Sequence, residues 1–278
     1  MFARIATEQG KGSSASNRPD PDTVLFQYTA AEEARIAWKL AVKTLALTNS
    51  TSAKVAPRES FYTKYGKRAL DIVVSAAALA VTLPFSLVLA ICTFLDVGAP
   101  ILFSQKKIGL NGRPFVLVKF RNMKNLFDED GALLPPSERV TRFGRFVRRL
   151  SLDELLNFWS ILKGDMSVIG PRPMELDYFQ RFSRRHNHRH LVRPGLGCPF
   201  LPPLSHPADW NEQLENDIWY VENISLLTDI KLFIALVGMV FDAKRSKQRD
   251  GANRGSFIGY DMSGKAVGTQ ALNRLHLD

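Results

Sequence analysis

From Ile72 to Leu95 the chain carries no charged side chain, and Pro84 stands at the centre of that run. A single helix needs about 20 such residues to cross a hydrocarbon core of about 30 Å. Proline removes a backbone hydrogen bond and its ring crowds the preceding turn, so it kinks or breaks the helix. Each half, about a dozen residues, rises roughly 18 Å, which reaches the bilayer middle and returns. Lys64, Lys67 and Arg68 precede the run, and Lys106, Lys107 and Arg113 follow it. The positive-inside tendency then sets both ends on the cytoplasmic face. The pattern predicts a re-entrant helix hairpin broken at Pro84; a kinked helix that crosses the bilayer is the competing reading.

Outside this segment the composition is that of a folded chain, with 45% hydrophobic and 23% charged residues. A mean hydropathy of -0.09 argues against a protein of many spans. The net charge of +10 points to an anionic partner: nucleic acid, lipid headgroups or a phosphorylated substrate. Cys92 and Cys198 lack metal-ligand spacing, so neither a disulfide framework nor a zinc site is expected. His186, His188 and His190 alternate within a basic stretch without a neighbouring carboxylate, cysteine or aromatic ladder. That argues against a metal site and against a nucleic-acid partner, and for a face turned to headgroups or solvent. The polar N-terminus lacks the apolar core of a secretory signal, so the bulk is expected in the cytoplasm.

The fold expected is α+β and mostly helical, with the re-entrant hairpin, interface-lying amphipathic helices and a small globular domain with little sheet. Residues 1–60 read as an extension, disordered to about Asp22, with a helix over Ala30 to Thr48 that is either a plain surface helix or an amphipathic one lying on a membrane or on the main domain. Residues 61–100 form the anchor, 101–244 the globular domain and 245–278 a flexible tail. Alternation in Pro114 to Arg121 predicts a strand pair turning at Gly109 to Arg113. Helices are expected at Leu152 to Lys163, Met174 to Arg185, Trp210 to Val221 and, amphipathic at the membrane interface, Leu226 to Phe241.

Two runs carry chemistry. Ser151-Leu-Asp-Glu154 has the spacing of a capping box, so Asp153 and Glu154 need do no more than start a helix that Gly164 ends. Yet Arg145, Arg148 and Arg149 crowd the same entrance, where an ionised carboxylate beside cations suits a nucleophile that attacks phosphorus. A second carboxylate one residue away suits Mg²⁺. Gly170-Pro-Arg-Pro173 follows, with Pro171 and Pro173 fixing the backbone around Arg172, whose guanidinium can fork onto a phosphate. By itself, a rigid turn with an exposed arginine explains that run equally.

In these residues the chain resembles the bacterial sugar transferases, the small monotopic phosphoglycosyl transferases acting on polyprenyl phosphate. The matching residues are Lys67-Arg68 with Asp71, Pro84, Lys119-Phe-Arg-Asn-Met123, Arg148, Ser151 to Leu155, Leu162 to Ser167 and Gly170 to Pro173. Arg193-Pro-Gly195, Asp217, Tyr220, Asn223, Ser225 and Asp229 complete the set. The resemblance implies transfer of a phosphosugar from a UDP-sugar to undecaprenyl phosphate, with release of UMP, as the first membrane step of polysaccharide or glycoconjugate assembly. It implies that Asp153 forms a covalent phosphosugar intermediate and that Asp153 and Glu154 hold Mg²⁺. Arg148 and Arg172, with Pro171 and Pro173, would bind phosphates; Lys119 and Arg121 would serve the acceptor side or the fold; Asp217 joins the substrate-binding set. Pro84 would keep the enzyme in one leaflet, at the cytoplasmic face of the bacterial inner membrane. Membrane lipids are then further partners, and a homodimer would be unsurprising.

The chain departs from the family at Leu196 to Pro207, where Pro199, Pro202, Pro203 and Pro207 replace the usual run and its arginine near Ser205. His206 is the nearest polar substitute, and the change bears on donor choice. Leu83 replaces the usual serine before the proline, leaving Thr82 to bond back to the helix. A catalytically weak, membrane-anchored relative that acts as a scaffold is the alternative function.

Overall fold

The computed structural model describes residues 30–129, 131, 133–241 and 254–274, so the lead-in expected to be disordered lies outside the described residues. Among the described residues the protein is mostly helical, and the strands form three separate two-stranded sheets. Helix α1 spans Ala30–Thr51 and α2 spans Lys67–Val97, the latter entered through a wide turn at Tyr62–Gly66. Strands β1 (Leu102–Ile108) and β2 (Pro114–Phe120) pair antiparallel, turning at 109–113 as expected. Short helices α3 (Pro136–Arg139) and α4 (Arg142–Arg149) precede α5 (Asn157–Lys163). Strands β3 (Ser167–Ile169) and β4 (Gly195–Gly197) pair in parallel around α6 (Arg184–Asn187). Helices α7 (Trp210–Asn223) and α8 (Leu226–Phe241) follow, and the hairpin β5 (Phe257–Tyr260) with β6 (Ala266–Gly268) closes the fold.

Helix α2 is long and apolar enough to cross a membrane, and only 11% of the most apolar window in its stretch, Tyr62–Val97, is buried. Its assignment runs unbroken through Pro84, and Thr82 Oγ1 donates to the Ala78 carbonyl at 2.8 Å, the back-bond expected of it. Burial is confined to two pairs spaced one turn apart, Asp71 with Ser75 and Leu89 with Thr93. Both ends dock on the same globular body. At the first, Arg68 donates to the Ile161 and Leu162 carbonyls at the end of α5, and Asp71 accepts from Ser167 Oγ and the Val168 amide. At the second, Leu89 packs with Phe120 and Val147, Asp96 accepts from Thr141, and Arg121 donates to the Val97 and Gly98 carbonyls.

The main core joins α5, β3, β4, α7 and α8 through Ile161, Ile169, Tyr220, Leu232 and Leu236. Two expectations change here. The helix foreseen over Met174 to Arg185 is a 3₁₀ segment at Leu176–Arg181 followed by the four residues of α6. Its positive end residues are spent on specific partners: Arg181 donates to the Phe257 carbonyl and Asp177, and Arg185 pairs with Glu215. The flexible tail is corrected over residues 254–274. Phe257, Ile258 and Tyr260 are buried there, and α1 packs Ala37 and Leu40 against Ile258. Burying that apolar strand against both α1 and the main domain offsets the conformational entropy lost when the segment is ordered. Of the placements open for α1, it therefore takes the one on the protein.

Candidate active site

The acid pair sits where α4 turns into α5. Thr141 caps α4 by accepting from the Gly144 amide at 2.7 Å. Gly144 lets that helix press on the backbone of Asn122, since a Cβ there would lie 2.1 Å from the Asn122 carbonyl oxygen. After α4, Ser151 adopts the left-handed conformation at φ 56°, which costs an L residue about 1–2 kcal/mol. The capping box is thereby corrected: Ser151 makes no side-chain cap bond, because an N-cap needs extended backbone. One tight turn, Leu152–Glu154, carries the acids, and α5 begins only at Asn157.

Asp153 is buried, 4% exposed, and accepts from Asn122 Nδ2 at 3.0 Å. Burial pushes its carboxyl above the ordinary carboxylate range, Glu154 adds to that, and Lys119 and Arg148 oppose it. The ready ionisation expected of a helix-start aspartate is thus corrected: removal from water outweighs the cations. Glu154 forms an ion pair with Arg172, so the two sequence runs meet. Arg148 is exposed at the end of α4. Pro171 accepts from the Gly195 amide through its carbonyl, fixing the Arg172 turn against β4.

A cleft of about 80 Å³ opens beside Glu154, with Lys119, Arg172 and Pro173 in its wall. Gln105, Lys107, Leu117 and Lys119 reach it from one face of the β1–β2 hairpin, as the two-residue period of a strand requires. Burial pushes the Lys107 ammonium down, and Glu175 at 3.4 Å partly offsets this. Sequence reasoning missed Asn122, Gln105 and Lys107 as site residues; alternation along β1 and β2 was the signal for the last two.

Two further residues of the expected set are engaged with protein partners, and for Arg121 this is the fold role that the sequence left open. Arg121 is occupied with the carbonyls that end α2, and serves the fold. Asp217 is fully buried and pairs with Arg189 at 2.8 Å, with Gln213 as a further donor. It orients Arg189, which donates to the Arg172 carbonyl, and so supports the Arg172 turn from behind. Asp153 and Glu154 offer the hard oxygen donors that suit Mg²⁺, which takes one or two carboxylates and completes its shell with water and substrate phosphates. Among the described residues no group of three or more His, Cys, Asp or Glu forms an all-protein cage. Such a donor set fits a cation shared with a phosphorylated ligand.

Next to this cleft, sharing Lys107, Arg172, Pro173 and Leu196 with it, lies a larger cavity of about 370 Å³. The departed loop builds one side of it through Pro199, Phe200, Pro203 and Leu204.

A family model described as bacterial sugar transferase matches residues 62–243. An uncharacterized sugar transferase, EpsL, of Bacillus subtilis is 35% identical over 193 residues, 69% of this chain and 96% of that protein. The UDP-N-acetylgalactosamine-undecaprenyl-phosphate N-acetylgalactosaminephosphotransferase of Aeromonas hydrophila is 35% identical over 59% of this chain and 41% of its own length. The UDP-glucose:undecaprenyl-phosphate glucose-1-phosphate transferase of Xanthomonas campestris pv. campestris is 30% identical over 66% and 40%. The chain thus spans less than half of the two relatives whose names state a reaction.

Proposed function

The chain belongs to the bacterial sugar transferase family, and we propose that it transfers a phosphosugar from a UDP-sugar to undecaprenyl phosphate through a covalent intermediate on Asp153. The observation that carries this reading is a buried carboxylate, Asp153, flanked by Glu154 and within the electrostatic reach of Lys119 and Arg148. A desolvated carboxylate is a stronger nucleophile than one in water, and the nearby cations and Arg172 offset its repulsion from phosphate. Asp153 attacks the β-phosphorus, and the bond to the bridging oxygen breaks, so that UMP departs with the electron pair. A phosphate oxygen of the lipid then attacks the same phosphorus and the Asp153 carboxylate leaves. Asn122 holds the carboxylate oriented in both steps. Mg²⁺ bound by Asp153 and Glu154 would neutralise charge on the donor phosphates.

The same reading sets the enzyme on the cytoplasmic face of the inner membrane, with α2 re-entering rather than crossing. Support comes from docking at both ends of α2 on one body: Arg68 meets the end of α5, and Leu89 clusters with residues just before it. A straight helix would separate residues 21 positions apart by about 30 Å. Ile230, Phe233 and Ile234 of α8, exposed on the outside, suit the interface.

The transfer is tested by intact-protein mass after nanodisc-held enzyme meets a panel of UDP-sugars and Mg²⁺ without lipid acceptor. A gain of one phosphosugar is expected, absent from Asp153→Asn; no adduct and no UMP release with acceptor present would favour the scaffold. For the anchor, Pro84→Ala should straighten α2 and carry a reporter cysteine near the turn to the opposite face. An unchanged labelling pattern would remove the re-entrant reading.

A further inference from the structure

We infer that the C-terminal segment completes the donor site, with Arg254 holding the nucleoside monophosphate half of the donor in the 370 Å³ cavity. This rests on the transferase reading and extends it to a residue outside the stretch matched by the family model, which ends at 243. Arg254 lines the cavity together with Arg172, Arg189 and Lys107. Arg189 is neutralised by Asp217 and Lys107 by Glu175, whereas Arg254 donates to the neutral amide of Gln213 at 3.0 Å. Among the described residues no carboxylate lies within ion-pair distance of its guanidinium. Much of the remaining lining is apolar or aromatic, with Phe200, Leu204, Leu236 and Met239 beside Trp210. A flat pyrimidine with oxygen acceptors at its edge and a phosphate at one end matches an apolar slot with a guanidinium in its side. A sugar, whose hydroxyls need polar partners around the whole ring, matches it poorly.

The placement of Arg254 is built, not incidental. Its guanidinium stacks over Trp210 at 5.1 Å, and Trp210 Nε1 donates to the Gly255 carbonyl at 3.1 Å. Beyond it, Tyr178 Oη accepts from the Phe257 amide at 3.2 Å and Arg181 donates to the Phe257 carbonyl at 2.7 Å, which bolts β5 to the main domain. Helix α1 covers the far side through Ile258. Burial pushes the Arg254 guanidinium down, Asp217 raises it and Arg172 lowers it again, so an anion in the cavity would relieve two like charges at once. The departed loop lacks an arginine near Ser205, and Arg254 brings one to the same cavity from the other end of the chain.

The test uses the full chain in nanodiscs, with UMP as the probe and Trp fluorescence or calorimetry as the readout. Arg254→Ala should weaken UMP binding and raise the donor KM, each about tenfold or more, with kcat changed far less, as loss of a charge-assisted hydrogen bond predicts. Arg254→Lys should recover part of both, and it serves as the reading if the alanine variant melts early. The ranking of different UDP-sugars should stay as in the wild type. Unchanged UMP affinity, or a changed sugar ranking at constant UMP affinity, would overturn the assignment, the latter by giving the cavity to the sugar. Wild-type enzyme that binds UMP in an Arg254-dependent way yet transfers no phosphosugar would sink the transferase reading and leave the nucleotide site standing.

Discussion

Asp153→Asn should lower kcat by about four orders of magnitude or more and should not lower thermal stability. The first half follows from the role given to the carboxylate, since removing a nucleophile leaves only what binding and positioning contribute. The second half follows from its surroundings. Burial raises the Asp153 carboxyl above its ordinary value of 3.8, so the folded state binds that proton more tightly than the unfolded chain. As pH rises from the ordinary value through the raised one, the unfolded chain ionises first and the native state loses stability. Above the raised value the loss is complete and constant. Asparagine removes the slope, and Asn122 still finds an oxygen to bond. The variant should therefore melt at or above the wild-type temperature at neutral pH and gain nothing at pH below the ordinary carboxylate range. The wild-type rate should carry an acid limb shifted upward from where a solvated aspartate would place it. Rates across pH, with melting curves in the same buffers, check both halves. A substantial residual rate would remove the nucleophile, and a lower melting temperature would mean that the charge supports the fold after all.

How much of this was legible in the sequence depended on how local the signal was. Periodicity is local, and it located the β1–β2 hairpin, α7, and α8 from Leu226 to Phe241. The meeting of Glu154 with Arg172 had a partial signal, because α5 and β3 leave little chain between them. The capping box failed for a local reason of another kind: Ser151 takes a conformation that serines adopt only when the surroundings force it, and nothing in four letters reports that. The roles of Arg121, left open between the acceptor side and the fold, and of Asp217 were not legible, because a charged residue in a shared motif reads the same whether it meets a substrate or a buried partner. Their partners, the end of α2 and Arg189, are 22 to 28 positions away. The C-terminal hairpin was hidden because its apolar residues, Phe257 to Tyr260 and Ala266-Val267, form two short runs in a Gly-rich polar stretch. Its burial depends on α1, more than two hundred positions earlier.

The other large effect concerns how the anchor is held. Asp229 in the first turn of α8 accepts from Tyr62 Oη at 2.6 Å, from Lys67 Nζ at 2.7 Å and from Tyr220 Oη at 2.7 Å. Both members of the ion pair are out of water, with side chains 12% and 4% exposed. Asp229→Ala would leave the Lys67 ammonium with only the Ile169 carbonyl and the face of the Tyr220 ring, and stranding a buried charge costs about 3–5 kcal/mol. The pair itself is a weaker source of stability than that figure suggests, because desolvation absorbs most of the mutual attraction. Lys67→Met combined with Asp229→Leu should therefore recover most of the loss, as apolar packing replaces the pair and Tyr220 keeps its bond to the Ile169 carbonyl at 3.1 Å. Melting of the single and double variants in nanodiscs separates the two contributions. If the double variant is as unstable as the single one, the network positions α2 against α8 through its hydrogen bonds, and charge burial is not what makes Asp229 indispensable.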